Sequence, residues 1–337
     1  MATNHLGNEL PEVSAGRYVN IMNNRNHSDV GAASGCAALF SIAVLLVCLV
    51  SPPAAASGQR QFTSPERAVA ALLAALRSGR TAELIAIFGP QSKPLVESGD
   101  PVADKTGRAR FVASYDQSHS LVTKRSGEII LVLGRDHWPF PIPLVKAGSL
   151  WRFDTVAGAE EIVDRRIGRN ELSAIKVCRA YVDAQREYSY EDQSGAGIHE
   201  YAQHFASHPN RHDGLYWPVR PGEKPSPMGA LIALARDEGY EAAGTRTKRE
   251  PYHGYYYRIL KRQGSHAPGG AHDYIIGNHM IGGFALVAFP AQYGVSGVMT
   301  FIVNQDGVVY QKNLGPDTER IARQMKEYDP GPGWKPD

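Results

Sequence analysis

The stretch VDRRIGRNELSAIKVCRAYVDAQREY, residues 163–188, decides the fold of this chain. Its mostly apolar or small side chains recur at alternating spacings of four and three residues, which places them on one stripe of a long helix. The stripe consists of Val163, Ile167, Asn170, Ala174, Val177, Tyr181, Ala184 and Tyr188. The pattern predicts a helix over 158–188. Because alanine and tyrosine make a poor coiled-coil seam, we interpret the stripe as a spine packed on a sheet; an oligomerisation helix is the alternative.

The residues after this helix predict an antiparallel meander. Region 192–239 is rich in glycine and proline, which favours irregular structure. Beyond it, runs of β-branched and aromatic residues predict strands at 255–260, 274–276, 283–290, 298–304 and 308–312. Asp306-Gly307 between the last two runs indicates a tight hairpin. A final helix is predicted over 316–327.

The residues before the long helix predict a smaller unit of helices and strands. Ser64 and Pro65 supply an N-cap and a first-turn proline, and the apolar spacing that follows predicts a helix ending at Gly79. A second short helix is predicted over 82–88, and strands over 128–133, 140–145 and 149–154. The fold class is therefore α+β in two domains, 57–157 and 158–330, with a tail over 331–337.

Residues 1–56 are predicted to be a leader. Residues 36–50, CAALFSIAVLLVCLV, form fifteen positions without a charge, which is short for a membrane helix of about 20 residues but typical of a signal peptide. Ala54-Ala55-Ala56 supplies the small residues of a cleavage site, so we expect cleavage after Ala56 and no membrane span in the mature chain. An N-terminal membrane anchor is the alternative, and translation starts at Met1 or at Met22. The mature chain keeps Cys178 alone, which excludes an internal disulfide.

Composition excludes several classes of function. The chain has 36 Lys+Arg against 34 Asp+Glu, a net charge of +2 that does not suit a nucleic-acid-binding protein. It lacks a G-x-S-x-G nucleophile elbow, a phosphate-binding loop and a dinucleotide fingerprint, so we predict no cofactor and assign no catalytic residue. We expect Cys178, beside a stripe residue, to be a buried inert thiol rather than a nucleophile.

Histidines between 199 and 212 are candidates for metal ligands. His199-Glu200-Tyr201-Ala202-Gln203-His204 nearly matches a zinc-protease motif, but the second histidine comes one residue too late for both to face one ion. His204, His208 and His212 are spaced by four, yet Pro209 argues against a helix through them. We therefore predict exposed loop histidines and no metal site.

An aromatic group supplies the candidate binding residues. They are Trp217, Tyr252, His253, Tyr255 and Tyr257. Aromatic faces stack on sugars or peptides, which would make this group a binding surface. The alternative is ordinary packing, with the hydroxyls hydrogen-bonded at the margin of the sheet.

Several blocks of the sequence resemble a bacterial family known as domain of unknown function 2950. The blocks are IGRNE (167–171), YVDAQREY (181–188), DGLYW (213–217), YHGYYY (252–257) and GVSGVMTFIVNQDGVVYQKNLG (294–315). The resemblance implies an exported cell-envelope protein without an assigned activity.

Two further resemblances concern the fold. The order of elements in the first domain is similar to cystatin-like rolls, including nuclear transport factor 2-like domains. The second domain resembles type IV pilins and pseudopilins, which also have a long helix followed by a β-meander. From these patterns we expect a periplasmic or secreted, non-enzymatic binding or scaffolding module whose partner is an envelope protein or a polysaccharide. A hydrolase acting on an envelope polymer and a pilus- or secretion-associated component are the alternatives.

Overall fold

The computed structural model describes residues 58–193, 195, 197–241 and 250–337. The predicted leader, including the cleavage site at Ala56, lies outside these residues. The described chain is an α+β protein, as expected, in which helices pack on antiparallel sheets.

The helices are α1 (Pro65–Ser78), α2 (Thr81–Phe88), α3 (Lys93–Val96), α4 (Pro101–Gln117), α5 (Thr155–Ser189), α6 (Gly229–Asp237) and α7 (Thr318–Gln324). The strands are β1 (His119–Thr123), β2 (Ile129–Leu133), β3 (Trp138–Pro139), β4 (Leu144–Ala147), β5 (Leu150–Phe153), β6 (His204–Ala206), β7 (Gly214–Tyr216), β8 (Tyr255–Leu260), β9 (Arg262–Gln263), β10 (His272–Asp273), β11 (Ile275–Ile276), β12 (His279–Met280), β13 (Ala285–Pro290), β14 (Met299–Asn304), β15 (Tyr310–Asn313) and β16 (Lys335–Pro336).

The first hydrophobic core lies between helices α1 and α2 and an antiparallel sheet. The sheet has the order β1-β2-β4-β5, with β3 also paired to β2. Helix α1 begins as predicted, because the Ser64 hydroxyl accepts a hydrogen bond from the Arg67 N–H at 3.3 Å. It ends at Gly79, whose φ of +66° is the left-handed cap that glycine adopts without strain. Leu72, Ile87 and Phe153 are among the side chains buried in this core.

The second core lies under an antiparallel sheet of order β16-β15-β14-β13-β8. Every residue of β13 is buried, so this strand is covered on both faces. Helix α5 covers one face, where Tyr181 donates a hydrogen bond to the Ala285 carbonyl at 3.3 Å. Helix α7 packs on the other face, where Arg323 lies over the rings of Tyr256 and Phe289.

Helix α5 belongs to both cores. Its 35 residues extend about 52 Å at 1.5 Å per residue. Near its start, Gly158 lies so close to Pro141 that a Cβ at this glycine would be 2.2 Å from the Pro141 carbonyl oxygen. Two turns further along, Arg166 donates hydrogen bonds to the Pro94 and Leu95 carbonyls at 2.8 and 2.5 Å. From Asn170 onward the predicted stripe is buried in the second core, which confirms the spine interpretation of that half.

The start of β14 is fixed to α5 by a half-buried carboxylate. Glu171 Oε1 accepts hydrogen bonds from the N–H groups of Val298 and Met299, both at 2.9 Å. Burial raises the pKa of Glu171, and these two hydrogen bonds oppose that rise.

The structure departs from the prediction at several elements. Helix α4 and strand β1 fill a stretch for which the sequence predicts no element, and α6 lies within the glycine- and proline-rich region. Strands β14 and β15 form the predicted antiparallel hairpin, and Gly307 has the expected positive φ of +81°. The tight two-residue turn is wrong, because residues 305–309 separate the two strands. Residues 335–336 form β16, which pairs with β15. The division into two domains stays a prediction.

Candidate functional site

A cleft of about 330 Å³ opens beside Trp217, and we call it the Trp217 cleft. Its lining is mostly polar and combines carboxylates, one lysine, two ring systems and two prolines. The lining residues are Glu187, Glu191, Gln193, His212, Trp217, Glu223, Lys224, Pro225 and Pro227. Of the five candidate binding residues predicted from the sequence, Trp217 belongs to this cleft.

Three segments of the chain bring the cleft together. Helix α5 contributes Glu187 in its last turn, and Trp217 directly follows β7. The two segments are joined by a hydrogen bond of 2.7 Å from the Tyr188 hydroxyl to the His212 carbonyl. The loop before α6 supplies Lys224 and its neighbouring prolines. The cleft therefore depends on tertiary contacts rather than on one local motif.

The indole of Trp217 is held between a histidine and the second core. The imidazole of His212 stacks on it with ring centroids 4.2 Å apart and an angle of 15° between the planes. Trp217 is half-buried and packs against the second core. The stack makes Trp217 a wall of the cleft, with one face of its ring system already covered by His212.

The charged groups of the cleft differ in how they are paired. Lys224 Nζ pairs with Glu191 Oε1, and Gln193 donates to Glu191 Oε2 at 3.1 Å. The hydrogen bond and charge of Lys224 lower the pKa of Glu191, and those of Glu191 raise the pKa of Lys224. Glu223 Oε2 accepts the Arg220 N–H at 2.8 Å. Within the described residues, the exposed carboxylate of Glu187 makes no hydrogen bond or ion pair.

Tyr252 and His253 lie in a second place, which we call the Glu238–His253 group. His253 Nε2 is 3.0 Å from Glu238 Oε2. The rings of Tyr252 and His253 are 4.2 Å apart, and Tyr240 packs on Tyr252 at 4.9 Å. His253 has a φ of +49°, an unusual value for a residue with a side chain and one that concentrates at functional sites. Burial, followed by the Glu238 carboxylate, raises the pKa of Tyr252 to about 12.

A buried aspartate supports this group from the first half of the chain. Asp100 is 1% exposed and caps α4 by accepting the Ala103 N–H at 3.0 Å. Its other oxygen accepts the Tyr240 hydroxyl at 2.9 Å and the Gly254 N–H at 2.8 Å. The group is thereby fixed to the N-terminus of α4. Sequence reasoning did not identify Glu238, Tyr240 or Asp100, although Asp100-Pro101 is a helix-start signal that could have drawn attention to the aspartate.

The remaining two candidate residues, Tyr255 and Tyr257, lie on β8 and contact the second core. Tyr255 is fully buried and donates to the Met299 carbonyl at 2.9 Å. The hydroxyl of Tyr257 is buried without a hydrogen-bond partner, and burial raises the pKa of both tyrosines well above its ordinary value. The Tyr255 ring is fully buried, and the Tyr257 residue is partly exposed while it packs against the second core. The structure therefore does not join the five residues into one aromatic surface.

The histidine and cysteine candidates have structural partners. Glu200 lies 3.1 Å from His279, and His208 pairs with Asp213 at 2.8 Å. Across the described ranges, no three His, Cys, Asp or Glu side chains are grouped to hold a metal ion. Cys178 is fully buried, and burial raises its pKa to about 12, so the thiol stays protonated at neutral pH.

Among the comparisons with known proteins, the comparison with protein families gives a match. The model of a family described as protein of unknown function (DUF2950) matches residues 59–336. No curated protein and no solved structure matches the chain, so the pilin-like and cystatin-like resemblances stay predictions. In the part of the chain that the structure describes, no helix has the length and apolar character needed to span a membrane.

Proposed function

This chain belongs to the DUF2950 family, and we propose from that premise that it works outside the cytoplasm as a binding or scaffolding module of the cell envelope. The apolar run over 36–50 and the small residues that end at Ala56 support export. N-terminal sequencing of the exported protein should begin at Ser57. An intact leader on a membrane-bound product would contradict cleavage and favour the anchored alternative.

The observation that carries the binding role is the Trp217 cleft. Its volume of about 330 Å³ is at the lower end of the range for ligand sites, and it combines a ring wall with a few charged groups. Pairing with Lys224 lowers the pKa of Glu191 and so keeps this carboxylate ionised at neutral pH. An ionised, paired carboxylate suits ligand binding better than proton donation. The cleft therefore supports a binding function for this surface.

The test is a fluorescence titration of the full mature chain with soluble peptidoglycan fragments and with peptides from envelope proteins. Trp217→Ala should abolish saturable binding by one of these ligand classes. Trp334→Ala is the matched control, since Trp334 is also half-buried against the second core but lies outside the cleft. Thermal melting of both variants checks that each is folded. Equal binding by the two variants would refute the cleft as the site.

A hydrolase acting on an envelope polymer is the second candidate, and the Glu238–His253 group is the observation that favours it. Glu238 Oε2 is 3.0 Å from His253 Nε2 but makes no hydrogen bond. A small rotation of the ring that closed this bond would orient the imidazole, so that its other nitrogen could take a proton from an attacking water. Incubation with peptidoglycan and with peptides tests this candidate. Turnover that is lost in His253→Gln but kept in His266→Gln, which alters a similar pair with Asp329 at 2.9 Å, would support it. Absence of turnover by the wild type would exclude hydrolysis of these substrates.

A further inference from the structure

We propose that the Trp217 cleft recognises a peptide segment through a lysine or arginine side chain, and that Glu187 is the carboxylate that pairs with it. This inference rests on the proposed binding function and names its ligand class. Three observations carry it: the stack of His212 on the Trp217 ring, the distribution of charge in the cleft, and its size.

The ring stack argues against a sugar. A pyranose ring binds to protein by lying flat on an exposed aromatic face. His212 lies 4.2 Å from Trp217 and nearly parallel to it, and the second core contacts the same tryptophan. On the face that His212 covers, a sugar would have to displace the histidine before it could stack on the indole. The stack instead forms a wall along which the methylene groups of a long side chain can lie.

The charges argue for a cationic ligand. The lining contains the three glutamates 187, 191 and 223 and the one lysine 224, so its formal charge is −3 + 1 = −2. Glu191 is satisfied by Lys224, and one oxygen of Glu223 is used by the Arg220 N–H. The exposed Glu187 carboxylate is therefore the group in the cleft that is open to an incoming ammonium or guanidinium group. Charge complementarity selects a basic side chain over a neutral or acidic one.

Lys224 shows how the cleft holds an ammonium group. Its Nζ lies against Glu191, with a shared hydrogen bond that raises the pKa of the lysine and keeps it charged. An incoming lysine competes with this internal cation for the carboxylates of the same wall. Removal of the Lys224 charge should therefore strengthen binding of a basic peptide. A cleft that recognises neutral groups would not respond in this direction.

The size of the cleft indicates a short segment. About 330 Å³ accommodates one or two side chains rather than a long stretch of polymer. Tyr190, which directly precedes Glu191, is 78% exposed, so an aromatic side chain stands next to the cleft in the chain. Pro225 and Pro227 form stiff parts of the wall that need little ordering when a peptide binds. The expected ligand is a basic residue with its immediate neighbours.

The experiment is a titration of the mature chain with a fluorescent peptide that contains two lysines. The probes for comparison are the same peptide with both lysines acetylated, which removes the charges, and a chitin oligosaccharide. The lysine peptide should bind most tightly, and its affinity should fall as salt concentration rises. Glu187→Gln should weaken binding about three- to fivefold, and Lys224→Met should strengthen it by a similar factor, the scale of an exposed ion pair. Glu160→Gln, an exposed change elsewhere on α5, should leave binding unchanged.

The outcomes separate this inference from the broader proposal. Equal affinity for the acetylated peptide, or weaker binding by Lys224→Met, would overturn the inference, whereas binding that depends on Trp217 would still support the binding module. Binding of the oligosaccharide and not of the peptide would also overturn it. Failure of every probe and of the envelope fragments would remove the proposed function itself. Circular dichroism of each variant verifies that the exposed substitutions leave the protein folded.

Discussion

Two glycines of α5 provide a matched test of how this helix meets the first core. A Cβ added at Gly158 would lie 2.2 Å from the Pro141 carbonyl oxygen and 2.7 Å from the Ile142 backbone nitrogen. Both contacts are to backbone atoms, which cannot rotate away as a side chain can. A Cβ added at Gly168 would meet no atom within 4 Å. Gly158→Ala should therefore destabilise the protein, and Gly168→Ala should stabilise it.

The expected magnitudes follow from two opposing effects. Replacing glycine by alanine inside a helix contributes about 0.5–1 kcal/mol of stability at either position. Forcing an extra group into a packed interface costs about 1–3 kcal/mol, and a rigid backbone contact belongs at the upper end of that range. Because the helical gain is common to both variants, the difference between their free energies of unfolding isolates the steric contact. We expect a difference of about 2–3 kcal/mol.

Equilibrium unfolding in urea is the assay, with tryptophan fluorescence and far-ultraviolet circular dichroism as the two probes. Trp138 and Trp151 pack against the first core and report its unfolding. In thermal melting, each 1 kcal/mol should correspond to roughly 2–4 °C for a protein of this size. If both alanine variants gained the same stability, the close approach of α5 to Pro141 would be refuted, and with it the description of α5 as a helix shared by the two cores.

Three further predictions concern buried groups. Cys178→Ala should lower the free energy of unfolding by at most about 1–2 kcal/mol. Native Cys178 should resist alkylation until the protein unfolds. Fast alkylation of the native chain would contradict its burial. Asp100→Ala should lower the free energy of unfolding in urea by about 3–5 kcal/mol, because it removes a helix cap and leaves two buried donors without an acceptor. Ser64→Ala removes only a cap and should cost about 1 kcal/mol. Equal losses in the two variants would refute the buried network. Burial raises the pKa of Glu171, and an acid with a higher pKa in the folded state loses stabilisation as pH rises between its unfolded and folded values. Glu171→Gln keeps the accepting oxygen but does not titrate. Its free energy of unfolding relative to wild type should therefore be higher at about pH 7 than at about pH 4. The same difference at both pH values would show that the pKa of Glu171 is not raised.

The parts of the fold that were predicted are those whose apolar residues either recur on one face, as in α5, or form an uninterrupted run, as in β13. Helix α5 and strands β8, β13 and β14 have regular patterns, and the structure places them within a few residues of the expected bounds. Helix α4 was missed because none of its residues is buried, so its sequence carries no apolar stripe. Its start was signalled only by Asp100-Pro101. A periodic pattern of apolar residues indicates a buried helix face. A helix such as α4, which buries none of its residues, does not show that pattern.

The candidate site was predicted only in part, for a reason of geometry. Trp217 was selected as an aromatic residue in a loop, and it does line the cleft. Its partners Glu187 and Lys224 are 30 residues before it and 7 after it, and only the path of the chain through β7 and around the end of α5 brings them together. Tyr255 and Tyr257 are near Tyr252 in sequence, yet β8 places Tyr255 in the second core and buries the Tyr257 hydroxyl.

The shared helix determines where the chain can be divided. A cut between residues 157 and 158, at the predicted domain boundary, would remove from the first core the turn that rests on Pro141 and the guanidinium that holds the Pro94 and Leu95 carbonyls. An N-terminal fragment ending there would expose the apolar surface that Ile162 covers. A fragment that continued beyond Gly168 would keep these contacts, but the matching C-terminal fragment would then begin in the middle of a helix. The first core needs the turns of α5 before Gly168 and the second core needs those from Asn170 onward, so any cut that keeps both sets of contacts must break one continuous helix.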